Sequence, residues 1–273
     1  MILSSLRNDL IIQKNMKILY FTATGNNLYV AKKIGEDIYS IPKMVKQNVY
    51  EIADEKVGIV FPIYELGVPK YVEEFLDRVK IDSSYIFVIM TYGMYDGSAI
   101  SHLKKIANRN NIQLSYINTL IMIDNYLPVY KIEEQLETEE RKNIETQIAN
   151  IRKDLELKVN KIPRNNIKTK LLTRYARKKV FPKRDKKLGI YKKSFDKVFC
   201  VESTCISCGI CEKVCPVNNI VVKEEPDFKG ECIGCLSCTH NCPQNSIRVI
   251  GEKSKKRFRN SNVSLKEIIE SNQ

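Results

Sequence analysis

The chain contains no tryptophan, only two histidines, and no cysteine before residue 200. It lacks an apolar run of the ~20 residues that a bilayer-spanning helix needs. The opening stretch, MILSSLRNDLIIQKN, has a short apolar patch without a small-residue cleavage site, so no secretory signal is expected. The sequence therefore predicts a cytoplasmic protein without membrane insertion, with residues 1–15 as an extension ahead of the first patterned segment at Met16. His102 and His240 have no companions that would make a metal site or an acid–base pair, and both read as bystanders. Neither G-x-x-x-x-G-K nor G-x-G-x-x-G occurs, which argues against a nucleoside triphosphate or NAD. No catalytic residue is assigned.

Acidic residues are scarce in one place. Residues 151–199 carry 18 Lys+Arg against 4 Asp+Glu, whereas 1–125 carry 14 against 13 and 200–250 carry 4 against 6. The net charge of +13 thus belongs to a connector between two nearly neutral units, which is not how a surface built throughout for nucleic acid looks. Three readings of the connector stand: a solvated linker, a docking surface for an acidic redox partner, or a nucleic-acid site with Tyr175, Phe181 and Tyr191 among the basic residues.

What is present in the front half is alternation. Strand-like runs at 17–21, 57–62, 85–92 and 114–123 are followed by helical periodicity: Leu28, Ala31, Ile34 and Ile38, then Val72, Phe75 and Val79, then Ala99, Leu103 and Ile106. A long closing helix is expected over 131–157. Such alternation implies a parallel sheet covered on both faces, with ligands outside the carboxyl ends of the strands. The first loop at that edge is Thr22-Ala23-Thr24-Gly25-Asn26-Asn27, whose amides and small hydroxyls suit an anion at a helix N-terminus.

These residues resemble flavodoxin, whose phosphate loop reads T-x-T-G-N-T. The match is at Thr22, Thr24, Gly25 and Asn26, with Asn27 replacing the last hydroxyl. The resemblance covers roughly residues 16–158. It implies a doubly wound, five-stranded parallel sheet and FMN, with the flavin ring between the loops 62–69 and 91–97. Pro62, Tyr64, Thr91, Tyr92 and Gly93 are the ring-contact candidates it implies.

All nine cysteines lie between residues 200 and 242. Cys205-x-x-Cys208-x-x-Cys211-x-x-x-Cys215-Pro216 repeats as Cys232-x-x-Cys235-x-x-Cys238-x-x-x-Cys242-Pro243, offset by 27 residues. Paired zinc sites would need only C-x-x-C pairs, so the third cysteine and the Cys-Pro of each copy favour iron–sulfur clusters. The spacing is that of bacterial two-cluster ferredoxins. By that resemblance one [4Fe–4S] cluster takes Cys205, Cys208, Cys211 and Cys242, and the other takes Cys232, Cys235, Cys238 and Cys215. Short strands are expected at 195–201, 220–222 and 247–250, giving a small α+β domain. Cys200 stands outside both ladders and, in an apolar run, is expected to pack as a small hydrophobe.

Taken together the chain resembles the flavodoxin–ferredoxin fusion proteins found mainly in anaerobes. The expected organisation is an extension (1–15), an FMN-binding domain (16–158), a basic linker (159–194), a ferredoxin domain (195–250) and a tail (251–273). The resemblance implies electron transfer between FMN, two [4Fe–4S] clusters and an external redox partner. The alternatives are an FMN-dependent NAD(P)H oxidoreductase that uses the clusters as a relay, and nucleic-acid binding through the linker.

Overall fold

The computed structural model describes residues 16–183 and 195–273. The extension 1–15 and the linker residues Lys186, Lys187 and Tyr191 lie outside the described residues. The front half is built on a five-stranded sheet: β1 (Met16–Tyr20), β2 (Asp37–Ser40), β4 (Lys56–Pro62), β6 (Tyr85–Tyr92) and β7 (Leu114–Ile121). Their order is β2-β1-β4-β6-β7 and every pairing is parallel. That order, with its reversal between β1 and β4, is flavodoxin-like. A small parallel pair, β3 (Glu51–Ala53) with β5 (Lys80–Asp82), lies beside it.

Because side chains alternate along a strand, β1 sends Ile18 and Tyr20 to one face and Leu19 and Phe21 to the other. The first face is covered by α1 (Asn26–Ile34) and α6 (Ile144–Glu156), the second by α2 (Ile41–Lys46), α3 (Lys70–Leu76) and α4 (Ala99–Arg109). Two expectations needed correction here. Gly35 ends α1, so Ile38 belongs to edge strand β2 and not to the helix face. The long closing helix is broken into α5 (Ile132–Glu137), a 3-10 turn and α6, with Asn143 left-handed at φ 46° between them. A further helix, α7 (Ile167–Tyr175), opens in the connector.

The back third displays the duplication in three dimensions. β8 (Phe199–Val201), α8 (Ile210–Lys213) and β9 (Ile220–Val222) recur as β10 (Pro226–Phe228), α9 (Ser237–Asn241) and β11 (Ile247–Val249). The first strand of each copy pairs, antiparallel, with the last strand of the other. The copies are therefore interlocked, and Phe199 stacks on Phe228 with ring centroids 5.1 Å apart. β10 was not expected, since its only large apolar residue is Phe228. Cys200 also departs from expectation. It is exposed, facing outward from β8 opposite Arg248, because strand alternation turns Phe199 and Val201 the other way. The tail ends in α10 (Leu265–Glu270), which lies against the front half.

Candidate functional site

The thiols fall into two groups. Burial pushes the Cys211 thiol up to about 12, and the neighbouring thiols of Cys208, Cys242 and Cys205 push in the same direction. Cys205, Cys208, Cys211 and Cys242 line one cavity, together with Ile210, Val222 and Ile247. Burial likewise raises Cys235 and Cys238, and both feel Cys232 and Cys215. Each group thus takes three cysteines from one repeat and the fourth from the other, as the interlocked strands require. Buried thiols that resist ionisation need a cationic centre to become ligands. Among the described residues no three His, Cys, Asp or Glu side chains converge as tightly as a single metal ion demands. The first group surrounds a cavity rather than a point, which suits a centre larger than a single metal ion.

Backbone N–H groups repeat around the sulfurs. Asn219 N–H donates to Cys215 Sγ (3.2 Å), and its counterpart 27 residues on, Ser246 N–H, donates to Cys242 Sγ (3.3 Å). Gly234 N–H donates to Cys232 Sγ at 3.4 Å. Left-handed residues also recur in register: Ser207 with Gly234, Gly209 with Leu236, Asn218 with Asn245. These turns aim amides inward at negative sulfur, which stabilises the more reduced state of a bound centre.

The second group sits on the carboxyl edge of the large sheet. Ser237 Oγ donates to Ala23 O (2.9 Å), and Asn241 Nδ2 donates to the same carbonyl (3.4 Å). Ile233, Cys235 and Val217 pack against the front-half core beside Tyr64. The Tyr71 hydroxyl is buried with no hydrogen-bond partner, and its pKa is raised by burial, by Tyr50 and by the thiols of Cys215 and Cys235. His240 joins the second repeat to Asn125 and to the tail. Its Nδ1 accepts from Phe258 N–H (3.1 Å), which leaves Nε2 to donate to Asn125 O (2.8 Å). Burial lowers its pKa to about 4 and keeps the ring neutral. His102 Nδ1 similarly accepts from Val68 N–H (3.2 Å), while Nε2 faces Glu73 at 3.5 Å, bracing the loop 62–69.

The switch-point loop is held shut by the chain itself. Thr22, Ala23, Thr24, Asn26 and Asn27 are all buried. Thr22 Oγ1 accepts from Gly25 N–H (3.1 Å), Thr24 Oγ1 accepts from Asn125 Nδ2 (2.8 Å), and Asn27 Oδ1 accepts from Thr91 Oγ1 (2.9 Å). From the tail, Asn260 N–H donates to Thr24 O (2.8 Å) and Asn260 Nδ2 donates to Asn26 Oδ1 (3.1 Å). Gly25, at φ +96°, is so close to the tail that an added Cβ would stand 2.9 Å from Val263 Cβ and 3.2 Å from Asn260 Cβ. Residues 260–263 thus pack directly on the loop at Gly25.

The ring-contact candidates do share one edge. Phe21 and Tyr64 have ring centroids 6.4 Å apart, Thr91 O accepts from Ile63 N–H just after Pro62, and Tyr92 O accepts from Met122 N–H. Gly93 lies under Asp124, whose atoms would stand 2.2 Å from an added Cβ. Sequence reasoning missed Tyr71, Asp124, Asn125 and Asn260, whose surroundings are supplied by segments far away in the chain.

Comparison with known proteins places a 4Fe-4S binding domain at residues 201–221. The back third therefore contains a 4Fe-4S binding domain over those residues. No curated protein matches the chain. Among solved structures, a trp repressor binding protein from Bacillus subtilis is 16% identical, over 39% of this chain and 83% of that one, with a TM-score of 0.30. No argument is built on a likeness of that extent, and the flavodoxin-like assignment rests on the strand order. No helix among the described residues is long and apolar enough to cross a membrane.

Proposed function

We propose that this protein is an electron carrier that holds two [4Fe–4S] clusters and exchanges electrons with an external redox partner. The observation that carries this reading is the cross-repeat grouping of Cys205, Cys208, Cys211 and Cys242, and of Cys232, Cys235, Cys238 and Cys215. The clusters, when bound, supply one-electron chemistry; the chain supplies thiolates, amides and exclusion of water. Asn219, Gly234 and Ser246 direct N–H groups at sulfur, and Val214, Ile220, Leu236 and Ile247 keep solvent away.

The test is anaerobic purification with metal, sulfide and electron paramagnetic resonance analysis. About eight iron and eight acid-labile sulfide per chain are expected, the sum of two four-iron clusters. Cys215→Ser should perturb the signal of the cluster built by Cys232, Cys235 and Cys238, and leave the other intact. Stoichiometric zinc without sulfide, or two unaltered four-iron signals in Cys215→Ser, would contradict the reading.

FMN is a second reading, favoured by the left-handed Gly25 turn at the carboxyl end of β1, beside the point where strand order reverses. It requires residues 260–263 to withdraw from Gly25. Flavin released by acid from the purified protein would be FMN; its absence removes this reading and leaves the two-cluster carrier standing.

A further inference from the structure

Helix α7 (Ile167–Tyr175) continues through a π turn (Ala176–Val180) to residue 183, a rod of about 25 Å. Its placement inverts the usual rule for amphipathic helices. The residues turned toward the body of the protein are small or polar: Thr169, Thr173 and Ala176. Asn166 caps the helix by accepting from Thr169 N–H (2.7 Å), Ser98 Oγ donates to Thr169 O (3.4 Å), and Arg177 Nε donates to Glu65 O (3.1 Å). The large apolar residues point away. Ile167 is 75% exposed, Leu171 62%, Leu172 56% and Tyr175 61%.

Ile167, Leu171 and Tyr175 are spaced i, i+4, i+8, so they form one ridge along the outer side of the rod. Successive residues of α7 advance by 100°, which places Lys170 and Arg174 on one flank of that ridge and Lys168 on the other. No acidic residue occurs between Glu156 and Asp185. An apolar ridge with cationic rims on both sides, standing opposite the protein body, has the form of a helix that lies in a bilayer interface. The apolar side chains enter the acyl boundary, and the Lys and Arg stems reach back to the head groups.

We propose that this helix docks the protein peripherally onto an anionic lipid bilayer. Charge complementarity selects this occupant: a second copy would bring two cationic rims together, and a neutral bilayer would leave them without counter-charge. The apolar ridge selects it again, since charge attraction alone gives no reason to expose Leu171 and Tyr175. The assignment concerns a surface outside the cluster domain and holds whether or not FMN binds.

The test is co-sedimentation of the full, cluster-loaded chain with lipid vesicles. Two compositions are compared: phosphatidylcholine alone, and phosphatidylcholine with about 30% phosphatidylglycerol, an anionic surface of the kind basic helices recognise. Wild-type protein should pellet with the anionic vesicles only, less so as salt is raised. Leu171→Gln with Tyr175→Gln leaves the charge unchanged and should weaken binding at least tenfold, at the scale of two exposed apolar groups losing their burial. Lys168→Gln, Lys170→Gln and Arg174→Gln together should weaken it by about a hundredfold. Iron and sulfide content should be the same in all three proteins. The proposal is overturned if wild-type protein stays in solution with anionic vesicles at low salt. It is equally overturned if the Leu171/Tyr175 variant binds as well as wild type, or if the helix ignores vesicles and instead binds a soluble acidic protein through Leu171.

Discussion

The two cysteine ladders were legible residue by residue, because a ligand set repeated at fixed spacing is a property of sequence alone. The exposure of Cys200 was not, since which way a strand residue points depends on the strand it pairs with. Tyr71 and Asp124 were equally hidden, for both acquire their character from burial under distant segments. The unpartnered Tyr71 hydroxyl, beside Cys215 and Cys235, is a dipole able to stabilise added negative charge on a cluster there. Tyr71→Phe is therefore expected to shift the midpoint of the Cys232/Cys235/Cys238/Cys215 cluster to more negative potential. A redox titration followed by electron paramagnetic resonance checks this, with the other cluster's midpoint as the internal reference. Burial raises the Asp124 carboxyl to about 6, although its Oδ1 accepts from Tyr126 N–H at 3.1 Å. The folded protein thus holds this proton more tightly than the unfolded chain, and its stability falls as pH rises from about 4 to about 6. Asp124→Asn, which can still accept that hydrogen bond, should raise the unfolding midpoint at pH 7 and change it little at pH 4. Anaerobic denaturant titrations at the two pH values measure the difference.

At the scale of elements, strongly apolar strands such as β4 and β6 were readable because both their faces are buried. Short edge pieces were not: β2 reads DIYS and β10 reads PDF, and each is a strand only because a neighbour offers its backbone. The tail is the clearest case of an element without a sequence signal for its partner. Its last helix is well specified locally, with Ser264 and Glu267 forming a capping box. What it covers is set by Glu267 pairing with Lys32 at 2.6 Å, Ile268 buried in the core, and Tyr20 OH meeting Ser271 Oγ at 2.8 Å. This packing brings the tail onto the loop expected to hold the phosphate. Truncation after Arg259 removes Asn260 and Val263 and should increase uptake of added FMN at least tenfold, while iron content is retained. Fluorescence quenching of FMN by the full and truncated chains gives the comparison. Equal affinities would mean that the tail and the flavin phosphate do not compete for Gly25.

At the scale of the whole molecule, the order of units along the chain was readable, but not how the back third is seated. Its hydrogen bonds to Ala23 and Asn125 come from the second repeat, and Cys235 packs with Val217 and Ile233 against the core beside Tyr64, so one ligand group faces the sheet. The other group faces out. Cys208 is exposed, Cys205 is half-buried, and the neighbouring Ile206 is 59% exposed. On the proposed two-cluster reading, electron exchange falls steeply with distance between centres, so an external partner would approach the Cys205/Cys208/Cys211/Cys242 edge, and the inner group would serve as the relay toward the α/β unit. An exposed apolar residue beside a redox centre is a natural contact for such a transient encounter. Ile206→Glu adds a desolvation cost and a negative charge at that contact without removing a ligand. It should slow electron exchange with a physiological partner by roughly tenfold, the effect of one unfavourable charge at a small interface. Both clusters' electron paramagnetic resonance signals should be retained. Stopped-flow mixing of reduced carrier with oxidised partner measures the rate, and a small-molecule oxidant in the same apparatus should react equally with variant and wild type. If the Ile206 variant matched wild type with the protein partner as well, exchange would have to proceed from another face.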